Sequence, residues 1–238
     1  MRFVASTRRP TDGSEVAVRR EWAAALDRGL PLFDGPMCRL EAFHVERPPN
    51  IGVGGGVTLL LSETSYRVFL GTNLHGPGDL PASSLANPVG VSPALVTGDR
   101  KLLLGRRNGR VAYYPHRLHP FSGSLEPRRL LDGGTVFDEV RRELSEELNL
   151  SAVADVTLLG IVEDQAIRHP ELIFAATTDL PAAEVLSGLD PDEHADAVAV
   201  DATAEGVADL LAGDELTPVG RAAVTMYLDA PGVPRDDR

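Results

Sequence analysis

The chain has 238 residues, 43% of them hydrophobic and 24% charged, which is enough apolar material for one or two globular domains and excludes a disordered chain. With 35 Asp and Glu against 23 Lys and Arg, the formal charge is −12, a balance that repels phosphate backbones, so no nucleic-acid partner is expected. Cys38 is the only cysteine, which excludes an intrachain disulfide and a thiolate zinc site.

The opening residues MRFVASTRRP lack the long apolar stretch of a secretory signal, and the apolar run from Val57 to Leu61 is far too short to span a bilayer. A soluble cytoplasmic protein with no membrane partner is expected. From Ser14 to Leu30, good helix formers place Val18, Trp22 and Leu26 at four-residue spacing, which predicts an amphipathic helix. CRLEAFHVE predicts a strand, and GVTLLLSETSYRVFLGTN predicts one or two more, divided near Ser62 to Thr64. The Gly, Pro, Ser and Asn-rich stretch from His75 to Pro88 has no apolar period and reads as a linker or long loop. A boundary there separates a smaller helix-and-strand module, 1–88, from a second domain, 89–238.

In the second domain short strands alternate with helices. Strands are predicted in VSPALVTG, KLLLGRR, VTLLGIVED, ELIFAATTDL and HADAVAVDA. Helices are predicted in FDEVRRELSEELNL, PAAEVLSGL, AEGVADLLAG and TPVGRAAVTMYLDA, the last with Thr217 as N-cap and Pro218 at the first helical position. The pattern is that of an α/β or α+β sandwich.

The helix through Thr135 to Leu150 carries the chemistry. Thr135 is a cap with Asp138 in capping-box position, and Asn149 stands where a left-handed terminal residue is expected. Phe137, Val140, Leu144 and Leu148 fall on one stripe and Glu139, Glu143, Glu146 and Glu147 on another, about a third of a turn away. Glu143, Glu146 and Glu147 are helix neighbours and repel one another, so they either take up a proton or bind a divalent cation. Oxygen donors without thiolate or paired imidazole favour Mg²⁺ or Mn²⁺ over zinc. A solvated acidic face is the other reading of such a run.

GSLEP at Gly123 to Pro127 and RRELSEELNL at Arg141 to Leu150 resemble the Nudix box, the loop-helix-loop signature of the Nudix hydrolases. Arg142, Glu143, Leu144, Glu146, Glu147 and Leu150 match its second half position by position. The first half departs: Gly123 and Arg142 stand nineteen positions apart where the pattern has fourteen, an insertion of five in or near RRLLD. Gly134 stands where the pattern has Glu, and Asn149 where it has Gly. The resemblance implies a Nudix α/β/α sandwich, Mg²⁺ or Mn²⁺ held by Glu143, Glu146 and Glu147 with the Gly123 carbonyl, and carboxylates oriented by Arg142. It also implies hydrolysis of a pyrophosphate linkage, with Glu147 sharing in catalysis and a general base beyond the box, for which Glu163 is favoured over Asp164 and Glu171.

The phrases YRVFLGTN, ANPVGVSPALVTGDRKLLLGRRN, HPFSGSLEP and VTLLGIVED are similar to those of the UDP-sugar-cleaving Nudix branch, which implies UDP-glucose or UDP-galactose as a small-molecule substrate, cleaved to UMP and sugar 1-phosphate. Arg106 and Arg107 suit paired recognition of phosphate. Tyr66 offers a stacking surface for a base, and Asn73 a hydrogen-bonding edge for uracil or ribose. Competing readings are a pyrophosphatase acting on ADP-ribose or another nucleoside diphosphate derivative, and a non-catalytic nucleotide-sugar sensor suggested by Gly134 and the longer loop. GVGGGV at Gly52 to Val57 lacks the ending of a phosphate loop and reads as a flexible turn, His116 and His119 read as loop histidines, and no Ser stands in a nucleophile elbow.

Overall fold

The computed structural model of the chain describes residues 1–29, 32–46, 56–76, 78 and 80–231. The Gly52–Gly55 part of the predicted turn, the helix end at Leu30 and the tail beyond Pro231 lie outside the described residues. Two compact units emerge: one comprises Met1–Val89, Ser124–Leu131 and Ile167–His169, the other Gly90–Gly123, Asp132–Ala166 and Pro170–Arg238. Among the described residues no helix is long and apolar enough to cross a membrane.

The first unit holds β1 (Arg2–Phe3), α1 (Asp12–Asp27), β2 (Pro36–Glu46), β3 (Gly56–Ser65), α2 (Tyr66–Phe69) and α3 (Pro127–Leu131). Its sheet has the order β1-β3-β2, with β1 parallel to β3 and β2 antiparallel to it through an irregularity between Leu40 and Ala42. Helix α1 starts earlier than its apolar spacing predicts because Thr11 caps it, Thr11 and Ser14 exchanging side-chain and backbone hydrogen bonds. Its buried face also differs from the predicted stripe. Ser14, Ala17, Val18 and Ala25 are buried, whereas Leu26 is 52% exposed. Small side chains let a second helical segment approach: a Cβ on Gly71 would overlap the Val18 backbone.

That approach explains the largest correction to the predicted elements. β3 runs unbroken through Ser62 to Thr64, and YRVFLGTN is helical rather than extended, as α2 followed by a π-helical turn over Leu70–Leu74. Burial of Phe69 and Leu70 overrides the β propensity of the local sequence. Gly56 and Val57, which the predicted strand and the predicted turn share, belong to β3, as the strand reading has it. The described residues of 75–88 form a long loop, one of the two predicted forms, and it is pinned in place: a 3₁₀ turn forms at Ala82–Ser84, Leu85 and Ala86 are buried, and the Ser84 hydroxyl donates to the Arg9 carbonyl at 2.6 Å.

The second unit is an α+β sandwich. Its strands are β4 (Gly90–Val96), β5 (Lys101–Arg107), β6 (Leu118–His119), β7 (Gly123–Ser124), β8 (Asp155–Asp164), β9 (His169–Thr177) and β10 (His194–Asp201). Its helices are α4 (Val136–Leu148), α5 (Ala182–Leu186), α6 (Ala208–Ala212) and α7 (Pro218–Asp229). The central order is β10-β5-β4-β9-β8, with β6 on β5 and β7 on β4. The sheet is mixed: β4 and β9 are parallel, while β5 runs antiparallel to both β4 and β10.

Neighbouring strand residues face opposite sides, which sorts the helices. Ile173 of β9 packs with Val219 and Ala223 of α7, whereas the next residue, Phe174, meets Phe137 of α4 edge-on at 5.6 Å between ring centroids. The two helices therefore cover opposite faces of one sheet, as the α/β/α reading predicts. The core beneath α7 joins Ala94, Val96, Leu102, Leu104 and Leu118 to Val224 and Tyr227. Thr217 caps α7 through the Gly220 N–H, with Pro218 at the first helical position.

Candidate active site

The site is built on α4. Thr135 and Asp138 form a capping box, and Asn149 closes the helix at φ 50°, ψ 31°. Val140, Leu144 and Leu148 are buried as predicted, while Phe137 lies at the edge. Glu139, Glu143 and Glu147, one turn apart, are buried as well. Buried carboxylates on a helix otherwise able to turn them to water are costly unless compensated.

The compensation differs along the row. Arg142 spans three carboxylates, pairing with Glu139 at 3.0 Å, with Glu146 at 2.6 Å and with Glu143. Glu146 is thereby held on the exposed side, 55% accessible, whereas the Glu143 and Glu147 side chains are 9% and 10% accessible. The predicted ligands are thus not all gathered: Glu143 and Glu147 lie inside and Glu146 outside, and among the described residues no three His, Cys, Asp or Glu groups already form an ion cage.

Gly123 lies directly against the Glu143 carboxylate, so that a Cβ there would overlap it. Burial pushes Glu143 up to about 8, against the pull of Arg142 and with Glu147, Glu146 and Glu139 adding to the rise. Glu147 is pushed well above the ordinary carboxylate range, chiefly by burial and then by Glu193, although Arg107 and the Ser122 N–H favour its anion. Two buried carboxylates with high proton affinity, oxygen donors only, beside a glycine whose missing Cβ leaves the Glu143 carboxylate its place, fit a hard dication better than they fit a solvated surface. Glu143 and Glu147 with Gly123 are the residues that could hold it.

His194, which no local sequence signal marks, accompanies Glu147. Its Nε2 lies 3.0 Å from the Glu147 carboxylate, and burial lowers the imidazole to about 4. Arg107 ends β5 nearby: its Nε donates to the Tyr113 carbonyl at 3.2 Å, and its guanidinium lies 4.5 Å from the centre of the Tyr113 ring. The adjacent aromatics of AYYPH are the sequence signal that could have marked this platform. Arg106 is already committed to Asp196 at 3.1 Å and Glu215 at 2.9 Å.

The remaining candidates are dispersed. Glu163 is exposed on β8. Asp164 beside it is buried and bonded to the Tyr114 hydroxyl, which burial and this carboxylate hold above its ordinary proton affinity. Glu171 is buried on β9 and accepts the Ser92 hydroxyl. His119, read as a loop residue, is buried on β6 with Nδ1 2.6 Å from the Thr217 hydroxyl, while His116 lies in a turn at φ 65°.

Tyr66 and Asn73 belong to the first unit. Tyr66 meets Trp22 edge-on at 6.4 Å. The Asn73 amide is engaged with backbone, accepting the Ala86 N–H at 2.9 Å and donating to the carbonyls of Ile167 and Arg168 at 3.0 and 3.1 Å.

No protein-family model matches the chain. Among solved structures, a MutT protein from Methanosarcina mazei Go1 is 17% identical, with a TM-score of 0.45 over 58% of this chain and 91% of its own. Among curated proteins, mouse "Uridine diphosphate glucose pyrophosphatase NUDT22" is 33% identical over 186 residues, 66% of this chain and 59% of its own length. The human protein of that name is 31% identical over an alignment of 267 positions, covering 97% of this chain and 86% of its own. With that identity carried through almost its whole length, the chain belongs to the Nudix hydrolases, in the NUDT22 family.

Proposed function

We propose that this chain is a Mg²⁺-dependent pyrophosphatase, also able to use Mn²⁺, that cleaves UDP-glucose or UDP-galactose to UMP and the sugar 1-phosphate. The observation that carries the reading is the buried pair Glu143 and Glu147 set against Gly123, in a chain related over 97% of its length to a uridine diphosphate glucose pyrophosphatase. When bound, a hard dication there supplies neutralisation of the diphosphate and acidification of the attacking water.

The protein's own groups set the stage for that chemistry. Arg142 fixes the rotamers of Glu139, Glu143 and Glu146, so that the Glu143 carboxylate stays against Gly123. Arg107, braced by Tyr113, offers a cation to the substrate phosphates, which makes it the stronger of the two arginine candidates, because Arg106 is neutralised by two carboxylates. Glu163, open to solvent on β8, is assigned as acceptor of the water proton.

Incubation with UDP-glucose and Mg²⁺ should release UMP and glucose 1-phosphate, identified by chromatography, with chelation abolishing turnover. ADP-ribose offered in parallel should be the poorer substrate. Preference for ADP-ribose contradicts the assignment of substrate, and binding of UDP-glucose without products contradicts the assignment of activity.

A further inference from the structure

Glu147 needs more than burial to work as a ligand: its carboxylate must be held in one orientation. We propose that His194 is a positioning residue for Glu147, its Nε2–H donating to Oε2 and thereby fixing the orientation in which the carboxylate is presented to a divalent cation. The assignment rests on the reading of Glu147 as a metal ligand.

The imidazole is held from several directions. It begins β10 opposite Arg107 of β5, at a register irregularity between His194 and Asp196. Beneath it lies Gly105, where a Cβ would overlap the ring, and Phe121 meets it edge-on at 5.0 Å. The loop before it is tied to the end of α4 and to β5. The Asp190 N–H donates to the Glu147 carbonyl at 2.8 Å, the His194 N–H to the Asp190 carbonyl at 3.1 Å and the Asn108 N–H to the Glu193 carbonyl at 3.3 Å. The same loop that carries His194 therefore grips the backbone of the residue that His194 contacts.

The tautomer follows from the partners. Among the described residues Nδ1 is buried with no hydrogen-bond partner, and Nε2 lies 3.0 Å from Glu147 Oε2. Against the ionised Glu147 of a metal ligand, a proton on Nδ1 would be a buried N–H without an acceptor and would set the Nε2 lone pair against the carboxylate, so in that state the proton belongs on Nε2. With the Ser122 N–H, which also bonds this carboxylate, the imidazole holds Glu147 in one orientation, the way partners behind a metal ligand act on affinity.

Two amide variants separate this role from packing, because Gln reaches the Nε2 position and Asn does not. For His194→Asn, Mn²⁺ affinity, read from the electron paramagnetic resonance signal of free Mn²⁺, should fall about 10- to 100-fold, and kcat for UDP-glucose should fall in parallel with KM little changed. His194→Gln should restore both to within about threefold of the parent protein. Thermal melts report folding, and should the Asn variant fail to fold, the Gln variant decides: near-parental Mn²⁺ affinity supports donation from the Nε2 position and its loss overturns it. A parent protein that leaves the Mn²⁺ signal untouched overturns the metal reading and the assignment with it. A parent protein that binds while the Asn variant binds as tightly overturns the assignment alone.

Discussion

Glu41 in the first unit and Glu143 in the second are both buried carboxylates beside an arginine, yet their proton affinities move in opposite directions. Glu41, 4% accessible, pairs with Arg39 at 3.2 Å. Burial would raise it, but hydrogen bonds from the Ser62 hydroxyl and from the Thr7 hydroxyl and N–H hold its carboxyl below the ordinary range. Glu143 also has its arginine, but Arg142 is divided among three carboxylates and Glu147 adds its charge from one turn away, so Glu143 rises to about 8. A carboxylate satisfied within its own unit is structural. One left with an unmet demand for positive charge is placed for a ligand.

The largest effect that can break this comparison is on turnover. Glu147→Gln should lower kcat for UDP-glucose by at least about 100-fold while the protein remains folded by circular dichroism. Glu41→Gln should instead leave a buried Arg39 uncompensated and cost about 3 kcal/mol of stability in denaturant titration. Were Glu41→Gln to abolish turnover in protein that is still folded, or Glu147→Gln to leave kcat unchanged, the division of roles would fail.

Next in size is Gly123→Ala. The added Cβ must displace the Glu143 carboxylate, and the expected outcome is a roughly 10- to 100-fold loss of Mg²⁺ affinity with a near-parental melting temperature. Calorimetric titration with Mg²⁺ checks it, and unaltered affinity would separate Gly123 from the ion site.

A smaller effect sharpens the contrast through pH. Glu143 binds its proton more tightly folded than unfolded, so between pH 4.5 and about 8 the folded state holds more protons and loses stability as pH rises. His194, lowered to about 4, acts in the opposite sense below 6.5, where the unfolded chain protonates first, which leaves 6.5 to 8 as the clear window. In chelator, the melting temperature should decline across that window, less steeply for Glu143→Gln, and Mg²⁺ should offset the decline. Glu41, held low, contributes stability above its ordinary range that is lost only as pH falls through its lowered value. Equal slopes for parent and Glu143→Gln would contradict the raised proton affinity.

Local signals were legible in the sequence and relational ones were not. Thr135 with Asp138, Asn149 at the helix end and Thr217 with Pro218 are short-range patterns whose geometry needs no distant partner, and all three stand as predicted. The segment YRVFLGTN misled because its β-like composition was outweighed by burial of Phe69 and Leu70, a contact its own residues do not encode. Within the site, spacing placed Glu143, Glu146 and Glu147 side by side but could not show that Arg142 draws Glu146 outward. His194 stands 47 residues beyond Glu147, and only the register of β10 against β5 brings the two together.

The proposed activity depends on Glu143 and Glu147 forming the seat of a divalent ion. Crystals soaked in Mn²⁺ and measured at the manganese absorption edge test it directly. An anomalous peak is expected between those two carboxylates and beside Gly123, lost in Glu147→Gln. Anomalous density elsewhere, or none at the pair in protein that hydrolyses UDP-glucose, would contradict it.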